Sequence, residues 1–145
     1  MLLVKFVKLR DTATKPTYGS AYSAGADLYA ALDGDVIINV GETKLIPTGI
    51  AMEIPEGKVG LIYARSGLSV KQGLAPANKV GVIDSDYRGE IMVALLNHGN
   101  VPRAVKCGDR IAQMVITDYY KCDFCETDVL GDTTRGEGGF GSTGK

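Results

Sequence analysis

Apolar residues in this chain come in short β-branched runs, and nearly every run is closed by glycine, proline, aspartate or asparagine. The runs are 36–38, 44–46, 50–54, 58–63, 79–83, 90–96 and 110–116. Many short strands at turn-punctuated spacing predict an all-β sandwich or barrel, with a jelly roll among the forms. Residues 1–8 alternate and are broken by Lys5 and Lys8, which suits an opening strand. A helix is predicted only over 66–72, where Ser66 can cap and Gly73 can terminate a short turn.

Size and charge exclude several classes. A single domain of 145 residues, 45% hydrophobic, needs neither disulfides nor structural metal, since a chain this long hides roughly 68–70% of its unfolded surface. Sixteen Lys and Arg against 17 Asp and Glu leave a charge of −1, so nothing draws the chain to nucleic acid or anionic membrane at long range. No run approaches the roughly 18 apolar residues of a membrane span, and the early lysines do not suit a secretory leader. Cys107, Cys122 and Cys125 cannot all pair among themselves, which fits a reducing compartment. The expectation is an unexported, cytoplasmic protein with no nucleic-acid or membrane partner.

Residues 135–144 hold five glycines in ten, so this segment is costly to order. It reads either as a frayed end or as a lid, because Arg135, Phe140, Ser142 and Thr143 add a cation, an aromatic face and hydroxyls to close-approaching glycine amides. The boundary is set at a β domain over 1–130 and a C-terminal arm over 131–145. Residues 139–145 mimic the opening of a phosphate-binding P-loop, but that motif needs a following Ser or Thr and a helix, so a nucleotide triphosphatase of that class is not expected. Cys122 and Cys125 have the spacing of a zinc half-site with only Cys107 and His98 to complete it. His98 reads as an exposed turn residue, and no nucleophile elbow accompanies it.

Two internal stretches each admit two readings. Over 63–69, Arg65, Ser66 and Gly67 stand where a strand gives way to the short helix, either as a phosphate cradle or as a plain capped helix. Over 81–91, two strands flank the acidic turn Asp84-Ser85-Asp86-Tyr87, either as an ordinary hairpin or as a mount for a partly desolvated base.

Taken in order, residues 24–30 (Ala-Gly-Ala-Asp-Leu-Tyr-Ala), 65–69, 81–91, 108–114 (Gly-Asp-Arg-Ile-Ala-Gln-Met) and 135–144 resemble the five motifs of the trimeric dUTPases. The resemblance spans nearly the whole chain. It implies a distorted jelly-roll-like β-barrel, one short helix and a flexible glycine-rich arm. It also implies a homotrimer with shared active sites, and hydrolysis of dUTP to dUMP and pyrophosphate by water attack at the α-phosphorus. Mg²⁺ is then the cofactor, held mainly by substrate phosphates and waters, so no dense carboxylate cage is required.

Carried onto this chain, the resemblance implies that Asp84 orients and deprotonates the attacking water. Arg65, Ser66, Gly67 and Gln113 would bind the phosphates. Arg135 and Ser142 would add phosphate contacts when the arm closes, and Phe140 would stack over uracil. Asn78 with the backbone of Val82 and Ile83 would read the base from a hairpin over 78–92, lined also by Met92. Tyr87 would exclude a ribose 2′-hydroxyl, and Asp27 and Arg110 would support the site. A dCTP deaminase of the same fold, or a nucleotide sensor without catalysis, are the rival readings; Asp84 together with the full arm favours the hydrolase.

Overall fold

The computed structural model describes residues 2–139. Twelve strands and one helix are found among them: β1 (Lys5–Lys8), β2 (Thr17–Tyr18), β3 (Ala26–Tyr29), β4 (Val36–Ile38), β5 (Thr43–Pro47), β6 (Ile50–Glu53), β7 (Lys58–Tyr63), α1 (Ser66–Gln72), β8 (Leu74–Pro76), β9 (Gly81–Ile83), β10 (Met92–Asn97), β11 (Arg103–Val105) and β12 (Arg110–Asp118). Every pairing is antiparallel, in four small sheets of order β1-β6, β5-β10-β8, β11-β4 and β2-β3-β12-β7-β9. The all-β expectation with one short helix holds.

Period-2 patterning explains which faces are buried. Along β10 the odd residues Val93, Leu95 and Asn97 are buried while Met92, Ala94 and Leu96 are half-buried. Ile38, Ile46, Ile50, Ile62, Leu74, Ile91 and Ile111 meet the same core from different sheets. The nine-residue β12 lies between β3 and β7, and its register shifts between Arg110 and Ala112, an irregularity at the end that faces the site described below.

Two polar residues in this core are satisfied rather than excluded. Asn97, fully buried, donates through Nδ2 to the carbonyls of Ile38 (2.9 Å) and Val101 (2.8 Å) and accepts from the Gly99 amide through Oδ1 (3.0 Å). It therefore ties β4 and β10 to the 98–101 turn. Thr48 donates from Oγ1 to the Ile91 carbonyl at 2.6 Å and holds the 47–50 turn against the start of β10.

Two local expectations fail. Ser66 is not the N-cap: Arg65 occupies that position at φ −90° and ψ 127°, with no side-chain cap bond, while Gly73 ends the helix as expected at φ 71°. Residues 78–92 are not a paired hairpin, because β9 pairs with β7 and β10 pairs with β5 and β8, so the 84–91 turn crosses between two sheets. Residues 119–139 carry neither helix nor strand. None of the helices among the described residues is long and apolar enough to cross a membrane.

Replacing Asn97 with Ala strands two carbonyls and an amide in the core. Stability to urea is expected to fall by about 2–4 kcal/mol with an unchanged denaturant slope. A loss below about 0.5 kcal/mol, the scatter of ordinary surface changes, would contradict the role given to this residue.

Candidate active site

Three adjacent strands deliver one residue each to a common cleft. Across the ladders, Asp27 of β3 faces Gln113 of β12, and Gln113 faces Tyr63 at the end of β7. The chain then runs through Ala64 and Arg65 into α1. Gln113 Nε2 donates to the Ala64 carbonyl at 2.9 Å, which fixes the strand-to-helix turn against β12. This close approach requires Gly25, since a Cβ there would come within 3.1 Å of Gln113 Cδ and overlap its carboxamide oxygen.

The electrostatic centre is Asp27, which is 7% exposed. Its Oδ1 accepts Arg65 Nε at 2.7 Å and its Oδ2 accepts Arg110 Nη1 at 3.4 Å. One buried carboxylate is thus shared by two guanidiniums, leaving a local surplus of positive charge. Arg65 donates to Asp27 through Nε, which leaves its terminal amino groups without another side-chain partner among the described residues. Beside these groups lies a cleft of about 620 Å³ lined by Asp27, Tyr63, Arg65, Ser66, Gly67, Arg110 and Gln113 together with residues 19 and 23–25. The opening amides of α1 have no intrahelical acceptors and border the same space.

The other expected site residues lie elsewhere on the chain. Ile83, the last residue of β9, pairs with Gly60 of β7, so the chain leaves β9 toward the Lys58 end and carries Asp84 away from Arg65. From Gly60 to Arg65 the chain advances about 17 Å at the usual strand rise. None of Asn78, Val82, Ile83, Asp84, Tyr87 and Met92 lines the phosphate-sized cleft. They belong to the 78–92 segment. Asn78 stands over Gly81, where a Cβ would meet its Nδ2 at 3.4 Å, and Val82 is 60% exposed. β9 is an edge strand, so one side of its backbone has no ladder partner. Asp84 is exposed, and its carbonyl accepts the Tyr87 amide at 3.2 Å to close the turn. Met92 is half-buried at the start of β10.

Arg135 lies in the exposed C-terminal segment, where its Nε donates to the Gly138 carbonyl at 2.8 Å. Phe140 and Ser142 fall outside the described residues. His98 is exposed in a turn, as expected, with Nε2 3.4 Å from Ser69 Oγ. The three cysteines are free and exposed, and among the described residues no group of three or more His, Cys, Asp or Glu is placed to hold a metal. The packing of Gly25 against Gln113 has no signal in the sequence beyond the motif at 24–30. Tyr63, at the strand end beside Arg65, was likewise not singled out as a cleft wall.

An antiparallel β scaffold that presents two guanidiniums, a carboxamide and a helix start around one buried carboxylate offers a cleft whose chemistry suits an anionic ligand. The sequence profile described as dUTPase matches residues 11–144, and the chain belongs to the dUTPase family. It is 54% identical over 137 residues to the deoxyuridine 5′-triphosphate nucleotidohydrolase of Desulfitobacterium hafniense, covering 93% of this chain and 91% of the relative. The enzyme of the same name from Rickettsia prowazekii is 49% identical over 142 residues, covering 97% of this chain and 96% of the relative. Among solved structures, the Staphylococcus bacteriophage 80alpha dUTPase with dUpNHpp superposes with a TM-score of 0.92 at 26% identity, with both chains fully covered. A phage phi11 dUTPase, for which coordination of a structural Mg(II) ion is described, shares the fold at a TM-score of 0.80 and 24% identity, over 89% of this chain and 99% of that one. The jelly-roll-like fold of this family is the fold of the chain.

Gly25→Ala is expected to push the Gln113 carboxamide off the Ala64 carbonyl and into the cleft. Tripolyphosphate affinity, read by calorimetry, should fall about tenfold, the scale of one hydrogen bond to an anion, while the circular dichroism spectrum is retained. An affinity within about twofold of the unmodified protein would contradict the assignment of Gln113 to this cleft.

Proposed function

We propose that this chain is a dUTP diphosphatase that releases dUMP and pyrophosphate by water attack at the α-phosphorus. Such a reaction limits uracil incorporation into DNA and supplies dUMP for thymidylate synthesis. The observation that carries the reading is the cationic cleft built on Asp27, joined to family membership over residues 11–144.

In this reading the active form is a homotrimer with shared sites. The cleft of Arg65 and the turn of Asp84 sit at opposite ends of β7, so one copy's cleft is completed by the Asp84 turn of a neighbour. The arm over 131–145 then closes on a site of another copy, with Arg135 and Ser142 on the phosphates and Phe140 over the base. A reducing cytoplasm suits its three free thiols.

Arg65, Ser66, Gly67 and Gln113 hold the phosphate chain, and Arg110 fixes Asp27, which in turn aims Arg65. Asp84 Oδ takes a proton from the attacking water; the new O–P bond forms as the bond from phosphorus to the bridging oxygen breaks, and pyrophosphate leaves with that electron pair. An ordinary aspartate is a weak base, so positioning and charge neutralisation must supply much of the rate. Mg²⁺ neutralises charge on the triphosphate when bound. The donor set fits a metal that arrives on the substrate: both Asp27 oxygens are committed to guanidiniums, and no carboxylate cage is present among the described residues.

Base selection follows from the edge of β9. The backbone of Val82 and Ile83 with the Asn78 amide offers donors and acceptors to uracil, and cytosine would leave groups unpaired at about 1–3 kcal/mol each. Tyr87 beneath the sugar excludes a ribose, the thymine methyl collides with the backbone of the 78–92 segment, and Met92 lines the base pocket.

Incubated with Mg²⁺, the protein is expected to release pyrophosphate from dUTP and little from dCTP, dTTP or UTP. Uracil-containing product from dCTP, or binding without turnover, would contradict this. Asp84→Asn should lower kcat at least about a hundredfold, within the range of a general base, with dUTP binding retained. Joint loss of binding and turnover would count against the base assignment. Truncation after Leu130 should remove most activity and leave the oligomer folded; an unfolded product would show that the arm is structural instead.

A further inference from the structure

Tyr87 owes its position to a cluster that lies outside both groups of site residues. Its hydroxyl donates to the Glu90 carbonyl at 2.9 Å. Its ring lies against Gly89, where a Cβ would come within 2.6 Å of Tyr87 Cζ, so only glycine leaves room for the ring at this place. The carbonyl that receives the hydroxyl belongs to a residue anchored by its own side chain. Glu90 Oε1 accepts the Gly49 amide at 2.8 Å and Arg10 Nε at 3.1 Å, and Oε2 accepts Arg10 Nη2 at 3.3 Å.

The anchor itself is rigid. Gly49 sits at φ +67° with its space filled by Ala13, and its carbonyl accepts the Leu9 amide at 2.7 Å. The next residue after Glu90 is tied to the same turn: the Ile91 carbonyl accepts the Thr48 hydroxyl and amide, and the Ile91 amide donates to Ile50. Glu90 is one-fifth exposed and Arg10 two-fifths, and the fork of Arg10 meets the carboxylate with two nitrogens. The pKa of Arg10 is raised by its hydrogen bond to Glu90 and then by the charge of Glu90. Neither residue lines the phosphate cleft.

A side chain that rejects a 2′-hydroxyl by bulk works only while it stays in place. We propose that Arg10 and Glu90 are positioning residues for sugar selection, holding the Glu90 carbonyl where it pins the Tyr87 hydroxyl. The inference rests on the reading of Tyr87 as the group beneath the deoxyribose. It adds a specificity determinant in Arg10, which lies 80 residues before the Glu90 it clamps. Loosening the clamp lets the ring swing and admits ribonucleotides, without touching the base or the phosphates.

The test is a double-mutant cycle on the ratio of kcat/KM for dUTP to that for UTP, using Arg10→Met, Tyr87→Phe and both together. Each single change is expected to lower the ratio about three- to tenfold, the span of one net hydrogen bond, through a lower KM for UTP, and the double change should lower it no further. Arg10→Lys keeps the charge and loses the fork, so it should fall in between and serves where Arg10→Met does not fold. A ratio unchanged in Arg10→Met or Arg10→Lys with only a lower melting temperature would reduce the clamp to a structural contact and overturn the proposal. Additive losses in the double variant would do the same. Turnover of dUTP by the unmodified protein is measured first; its absence would sink the proposed function, whereas its presence with an unmoved ratio sinks the clamp alone.

Discussion

Across the ladder between β12 and β7, Gln113 faces Tyr63 and Asp118 faces Lys58, and that register fixes which end of the sheet leads to Arg65 and which to Asp84. The Tyr63 end leads into Arg65 and α1, beside Asp27 on the far side of β12. β9 pairs with Gly60 to Ile62, and the chain leaves it toward the Lys58 end, where Asp84 follows. Because antiparallel pairing is a rigid constraint with a fixed rise, one chain cannot fold the two groups together without breaking its own sheet. In the proposed reading these are two halves of one active site, and association of identical copies is the economical way to join them.

Charge placement within the phosphate half follows a simple logic. Two guanidiniums side by side would repel and wander; a carboxylate between them, buried at 7% exposure, fixes both while leaving the cleft cationic. In the proposed reading Asp27 therefore serves to aim the guanidiniums rather than to contact substrate. The same economy appears at Glu90, where one carboxylate serves a backbone amide and a guanidinium and so stiffens the turn that bears Tyr87.

Much of this was legible in the residues, and the rest failed for identifiable reasons. The β-branched runs at 36–38, 58–63 and 110–116 became β4, β7 and β12 with little change in bounds. β3, with its buried Asp27, and β8, which ends in Pro76, have no such run and were missed. Ser66 has the intrinsic preference for an N-cap, but Arg65 takes the position because its side chain is claimed by Asp27, 38 residues earlier, a tertiary contact that overrides local propensity. The supposed hairpin over 78–92 failed for a similar reason: adjacency in sequence suggested that β9 and β10 pair, while their partners, β7 and β5, are set by the core. The five motifs supplied the candidate site residues and implied sites shared between copies, and the register adds that Asp84 and Arg65 lie toward opposite ends of β7 on one chain.

The central claim is that a working site takes its phosphate half from one copy and its Asp84 from another. Arg65→Ala and Asp84→Asn, each expected to be inactive alone, can be unfolded together, refolded at equal amounts and separated by distinct tags into mixed oligomers. The account predicts that dUTP turnover of the mixed trimers returns to about one third of the unmodified rate, because a ring of either mixed composition has one junction of its three that pairs an intact cleft with an intact carboxylate. Mixed oligomers that form and stay inactive would mean that Arg65 and Asp84 act within one chain, and the account would be wrong.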